Sequence, residues 1–241
     1  MRFAIRREVD PIDIAGSLAG LSGVPIELTL PYKIEDYRAH RKRLLGVVAD
    51  IVEQEGILVQ SIHATQGRLT DPCFWDWAFE TVKYAEELSA KVVVFHPEVF
   101  AQNVRLDKQI LALQNIKRLQ RETDTVKVGI EAFGNKKRVL TPEEICQKGR
   151  WLVLDTSHLF PERSLQIVGQ WHKQICEVHL SEGNDKGQHQ PVQGYGYQIL
   201  DALKAKGWDG PVTLEYMFEF HWQLLEDRAR LEEKYGSKEA H

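Results

Sequence analysis

The sequence predicts an α/β protein folded as a single (β/α)8 TIM barrel spanning residues 1–241. Three observations carry that prediction. Short apolar runs alternate with amphipathic stretches along the whole chain. Six of those runs close on an imidazole or a carboxylate: Leu58 to His63, Val92 to His96, Val128 to Glu131, Leu152 to Asp155, Ile175 to His179 and Val212 to Glu215. No Gly-rich phosphate turn follows the first run, as an open doubly wound sheet would usually carry. Runs rich in β-branched residues suit strands buried on both faces, and β/α alternation calls for a parallel sheet.

The elements follow in order. A first strand near 2–5 precedes a short helix within 11–21. A second strand near 26–30 leads into a long amphipathic helix near 34–55. The third strand is placed near 57–62, and Asp71-Pro72 opens a helix near 73–89, with Asp as cap and Pro in the first turn. The fourth strand, near 92–96, is followed by a helix near 104–122, and the fifth strand lies near 127–131. Thr141-Pro142-Glu143-Glu144 starts a helix near 141–149: a cap, Pro at the first helical position, then acids facing the positive end of the dipole. A sixth strand near 152–155, a helix near 164–173 and a seventh strand near 175–180 come next. The polar stretch 181–189 reads as a loop. A helix near 197–206 closes at Gly207, the residue suited to a left-handed cap. The eighth strand lies near 212–216 and a last helix near 219–235, with a frayed polar tail beyond.

Composition narrows the function classes. With 43% hydrophobic residues the chain can bury a large core. Its net charge of −4 and pI of about 6.2 argue against nucleic acid as a partner, although a local basic groove is compatible with them. Cys73, Cys146 and Cys176 are odd in number and lack CxxC spacing, which suits a reducing compartment. No apolar run is long enough for a transmembrane helix, and the N-terminal residues lack a signal-peptide pattern. A cytoplasmic, membrane-free protein is expected.

In barrel enzymes the active site lies at the C-terminal ends of the strands. Glu131, Asp155, His179 and Glu215 fall there, on the fifth to eighth strands. A buried carboxylate or imidazole is costly unless it is paired or coordinates something. Four at one mouth point to a shared divalent ion. Three carboxylates and one imidazole suit Mn²⁺, Mg²⁺ or Co²⁺ and also accommodate Zn²⁺. His158 follows Asp155 by three residues and is a candidate ligand, substrate contact or proton shuttle. His63, His96 and His189 are candidates for substrate contact or further metal, as are Glu27, which ends a shorter run on the second strand, and Lys33 just after it. His63 or His96, taken alone, is equally readable as a structural histidine. Trp75 and Trp77 are expected to pack on their helix, with one of them a candidate roof for the pocket.

These residues carry a resemblance. Ile130-Glu131, Leu154 to Leu159, Val178 to Glu182 and Leu214-Glu215-Tyr216 look like the corresponding segments of the xylose isomerase-like (β/α)8 superfamily, over about 26–218. That group holds ketose epimerases, inosose and hydroxypyruvate isomerases, and endonuclease IV-type enzymes. In its sugar branch one divalent ion is held by residues matching Glu131, Asp155, His179 and Glu215, and the residue matching His158 touches substrate. The resemblance implies that Glu131 and Glu215 act as the acid/base pair, through a metal-stabilised enediolate. A further substrate-binding Glu of some members has no counterpart in Gly134 to Arg138. The endonuclease branch uses three zinc ions. His63, His96, Glu131, Asp155, His158, His179, His189 and Glu215 match eight of nine usual ligands, and Gly187 stands where the ninth, an Asp, is expected.

The expected activity is therefore a metal-dependent isomerase or epimerase acting on a small sugar, sugar phosphate or related polyhydroxy carbonyl compound, with homo-oligomerisation expected by analogy. Lys33, Lys136, Lys137, Arg138 and Lys186 are candidate contacts for an anionic group. One alternative is a zinc phosphodiesterase acting on abasic DNA, which calls for a groove of Arg and Lys near the barrel mouth. The other is a barrel that keeps metal or sugar binding without turnover.

Overall fold

The computed structural model describes residues 1–98, 106–133, 140–184 and 187–236. In chain order its elements are β1 (Arg2–Glu8), α1 (Ile14–Leu18), β2 (Pro25–Thr29), α2 (Ile34–Glu55), β3 (Leu58–His63), α3 (Phe74–Glu87), β4 (Val92–Phe95), α4 (Leu106–Gln120) and β5 (Lys127–Glu131). They continue with α5 (Pro142–Gln147), β6 (Trp151–Asp155), α6 (Pro161–Trp171), β7 (Ile175–Leu180), a hairpin of β8 (Glu182–Asn184) and β9 (Gly187–Gln190), α7 (Tyr195–Ala205), β10 (Pro211–Leu214) and α8 (Leu224–Tyr235). Eight strands form a closed barrel in the order β1-β10-β7-β6-β5-β4-β3-β2, as the alternation predicts. No helix among the described residues is long and apolar enough to cross a membrane.

The chain divides into two compact units. One is built mainly from Arg7–Ile130. Here β2, β3, β4 and β5 pair in parallel. Val92, Val93, Val94 and Phe95 are each at most 1% exposed, as a strand covered on both faces requires. Helix α2 buries Tyr37, Leu44 and Val48 along one stripe and ends at Gly56, whose φ of 62° is the left-handed cap conformation. Phe74, Trp77 and Phe95 meet with ring centroids 5.2–5.8 Å apart. Trp77 is thus a packing residue, and Trp75 stacks on Phe79 beneath the Arg118 guanidinium. The Asp71-Pro72 start is displaced: Asp71 Oδ1 accepts from Cys73 N at 2.8 Å, forming a turn, and α3 begins only at Phe74.

The other unit holds Met1–Arg6, Glu131 with the described residues just after it, and Pro142 to the C-terminal helix. Strand β10 pairs in parallel with both β1 and β7, and β7 pairs with β6. Inside it Glu177, fully buried, accepts a hydrogen bond from Thr213 at 2.7 Å. Helix α6 starts three residues before the expected position because Pro161 takes its first turn. The polar stretch after β7 is a hairpin rather than an irregular loop, with Glu182 opposite Gln190. The last helix is preceded by a 3-10 segment, Phe218–Gln223, so α8 begins at Leu224.

Candidate metal centre

Three strands and the first residue after a fourth bring the predicted quartet together. Glu131 ends β5, Asp155 ends β6, His179 is the penultimate residue of β7, and Glu215 follows β10 directly. One ligand atom from each of the four lies within 4.8 Å of the others. Glu131, Asp155 and His179 are at most 1% exposed. His179 Nδ1 is 3.1 Å from Glu215 Oε2 and 3.9 Å from Glu131 Oε1.

The two oxygens of Asp155 are used differently. Oδ1 accepts from Ser157 N at 2.7 Å, Ser157 Oγ at 2.9 Å and His158 N at 3.2 Å, which fixes the carboxylate against the loop. Oδ2 is buried and accepts no hydrogen bond among the described residues; its nearest basic neighbour is His158 Nε2 at 3.5 Å. An orphaned carboxylate oxygen at this depth is unfavourable unless a cation or proton meets it. Burial pushes the Asp155 carboxyl above its ordinary value, and the Glu215 and Glu131 charges raise it further against the pull of His158 and His189. Glu215 moves the other way. Burial opposes its ionisation, but Arg6, then His179 and His189, outweigh burial and hold its carboxyl well below 4.5. Three carboxylates thus share the site with Arg6 as their guanidinium partner, paired to Glu215 Oε1. That surplus of negative charge, with Asp155 Oδ2 turned into it, fits a divalent cation.

A second group overlaps the first: Asp155, His158 and His189 also offer ligand atoms within 4.8 Å of one another. His158 is stacked on Phe133, with ring centroids 4.3 Å apart, and meets His189 edge-on at 5.0 Å. His189 sits in β9 at φ 55°, a left-handed conformation costing on the order of 1 kcal/mol. Its Nδ1 lies 3.2 Å from both Ser157 Oγ and Ser181 Oγ, and its carbonyl accepts from Met217 N. Gly187, at the start of β9, has φ 144°.

His63 and His96 lie in the Arg7–Ile130 unit and form a pair, Nε2 to Nε2 at 2.9 Å. One tautomer set is consistent with three of their contacts. Gln66 donates to His96 Nδ1, His96 Nε2–H donates to His63 Nε2, and His63 Nδ1–H donates to the Ala64 carbonyl. Glu27 lies in the middle of β2, fully buried with Ser61 Oγ at 3.5 Å, rather than at the end of the strand. Lys33 is exposed at the start of α2. Lys136, Lys137, Arg138 and Lys186 lie outside the described residues, as does the whole Gly134 to Arg138 stretch. Sequence reasoning missed Arg6, Phe133, Ser157 and Ser181. Arg6 had a signal, a cation at the end of an apolar run on the first strand. The others had none beyond adjacency to site residues.

A family model described as xylose isomerase-like TIM barrel matches residues 48–232. Among solved structures, a D-tagatose 3-epimerase-like protein superposes with a TM-score of 0.69 at 15% identity, covering 97% of this chain and 96% of its own. The IolI protein with a binding zinc atom superposes at 0.68 and 17% identity, covering 99% of each chain. Endonuclease IV from Thermus thermophilus superposes at 0.63 and 17% identity, covering 97% of this chain and all of its own. At these identities the likeness is one of fold. No curated protein matches the chain.

Proposed function

The chain belongs to the xylose isomerase-like TIM barrel family, and from that premise we propose that it is a divalent-metal-dependent isomerase or epimerase of a small polyhydroxy carbonyl compound. The observation that carries the reading is the convergence of Glu131, Asp155, His179 and Glu215 on one point, with a buried Asp155 oxygen that accepts no hydrogen bond. These four residues would hold the ion, Mn²⁺, Mg²⁺, Co²⁺ or Zn²⁺. When bound, such an ion supplies Lewis-acid polarisation of substrate carbonyl and hydroxyl oxygens.

The side chains do the rest. Arg6 keeps Glu215 ionised, so Glu215 is the base that takes a proton from the carbon beside the carbonyl. Glu131, across the cluster, enters the step protonated and gives that proton to the other face, and exchange with solvent resets both carboxyls between turnovers. His158 is held by Phe133 on one side and faces Asp155 and Glu131 at 3.5 and 3.8 Å, a position suited to a substrate hydroxyl. The near-complete burial of Glu131 and Asp155 strengthens each of these interactions by excluding water.

The test is solvent-deuterium incorporation beside the carbonyl across a panel of keto sugars. Wild-type protein loaded with a divalent ion should exchange with at least one of them, and Glu215→Gln should abolish that exchange with the fold intact. Exchange that persists unchanged in Glu215→Gln removes the base assigned here.

One observation favours a second reading, an endonuclease IV-like phosphodiesterase. Arg38, His40, Arg41, Lys42 and Arg43 line a surface groove of about 830 Å³ opposite a single acid, Asp76. Steeply salt-dependent binding of abasic duplex DNA, lost when Arg38 and Lys42 are replaced by Ala, would support that reading.

A further inference from the structure

In (β/α)8 barrels the phosphate of a substrate is commonly gripped by backbone N–H groups at a helix N-terminus in the loops after the seventh and eighth barrel strands. The equivalent place in this chain is the start of α7, the helix that follows the seventh barrel strand, β7, and the β8–β9 hairpin. A helix that succeeds a barrel strand begins on the side where that strand ends, which is the side of His179 and of Asp155 on the neighbouring strand.

That helix start is filled. Glu182 Oε1 accepts hydrogen bonds from three backbone N–H groups: Gln193 at 2.9 Å, Gly194 at 2.7 Å and Gly196 at 2.9 Å. Three convergent amides on one oxygen make the cradle a phosphate oxygen would occupy. The surrounding chain is shaped to keep the carboxylate there. A Cβ at Gly196 would stand 2.8 Å from Val192 Cγ1 and 3.2 Å from Glu182 Oε1, so glycine leaves the room the carboxylate uses. Next to Glu182, Gly183 N donates to the Tyr195 hydroxyl, which in turn donates to the Thr156 carbonyl. The carboxylate is therefore tied through its neighbours to the loop that follows Asp155.

We propose that Glu182 is a specificity residue: its carboxylate occupies the anion cradle at the head of α7, and the site therefore takes neutral polyhydroxy carbonyl compounds and rejects their phosphate esters. This rests on the isomerase or epimerase reading and narrows its substrate class. A phosphate arriving at the head of α7 meets a like charge and finds its three donors already engaged.

Two measurements test it, one of which does not depend on turnover. The first is thermal stability in inorganic phosphate, with chloride at matched ionic strength as the control. Phosphate should leave the wild-type melting temperature unchanged and raise that of Glu182→Ala, where the cradle is vacated. Glu182→Gln keeps an acceptor oxygen on the three amides, so it should fold like wild type and respond to phosphate less than Glu182→Ala. A phosphate-induced rise equal in wild type and both variants overturns the proposal, as does no rise in a folded Glu182→Ala. The second is deuterium exchange on a ketose and on its phosphate ester. Wild type should favour the neutral sugar by tenfold or more in kcat/KM, and Glu182→Ala should narrow that ratio. Equal use of the two by wild type also overturns it. Failure of every sugar to exchange, with the phosphate response as expected, counts against the isomerase reading and leaves the filled cradle standing.

Discussion

Arg6→Met separates the electrostatic account of Glu215 from a purely steric one. The Arg6 guanidinium pairs with Glu215 Oε1, the two side chains being 21% and 12% exposed. Breaking a buried pair by removing one partner costs about 3–5 kcal/mol. Here His179 and His189 remain 3.1 and 3.7 Å from the carboxylate and soften the loss. A cost of about 2 kcal/mol is expected, which for a chain of this size lowers the melting temperature by about 4–8 °C near pH 7. The pH dependence carries the sign. Glu215 is held well below 4.5 in the folded chain. Its contribution to stability is therefore present above the unfolded value and is lost as pH falls through the folded one. Without Arg6 the folded value rises, so the gap between wild type and variant should be widest at neutral pH and shrink in acid. The same rise should move the acid limb of the activity profile to higher pH, and Arg6→Lys should recover part of both effects. Melting curves of chelator-treated protein from about pH 3 to 7 provide the assay. A melting temperature unchanged by Arg6→Met, or a gap that does not vary with pH, refutes the reasoning.

Three further outcomes follow from the same structure. Ser157→Ala removes a donor to Asp155 Oδ1 and a neighbour of His189 Nδ1, so divalent-ion affinity should fall by about 10–100-fold while the melting temperature of the ion-free chain changes little; calorimetric titration with Mn²⁺ decides it. Glu98 is buried with its carboxyl raised by desolvation, against the hydrogen bonds from Thr70. Glu98→Gln should be neutral or stabilising by up to about 1 kcal/mol at pH 7, with the difference vanishing below about pH 4.5, where the wild-type carboxyl is protonated in folded and unfolded chains alike; a destabilised variant at pH 7 would contradict this. Phe95→Ala empties the centre of the Phe74–Trp77 cluster and should cost about 3–5 kcal/mol by denaturant unfolding.

The barrel was legible because a parallel strand covered on both faces must be apolar along its length, so a carboxylate or imidazole closing such a run stands out. Glu131, Asp155 and His179 were readable on that ground, and Glu215 by continuation of β10. Glu27 reads as the end of a short run from sequence, but β2 continues to Thr29, which leaves it mid-strand with Ser61. Arg6 escaped because a cation beside Arg7 reads as a solvated strand end, while its partner Glu215 comes from the far end of the sequence. Glu182 escaped because its role depends on amides from Gln193, Gly194 and Gly196, and backbone donors leave no mark in side-chain pattern. The β8–β9 hairpin carries no apolar alternation, so its polar residues read as a loop.

The proposed chemistry requires a cation bound at the carboxylate–imidazole cluster. The most direct measurement is metal content per chain by elemental analysis after loading and exhaustive dialysis, comparing wild type with an Asp155→Asn, His179→Ala double variant. Retention of at least one divalent ion by wild type and its loss from the folded variant is the predicted result. A wild-type chain that retains none, or a variant that retains as much, contradicts the account.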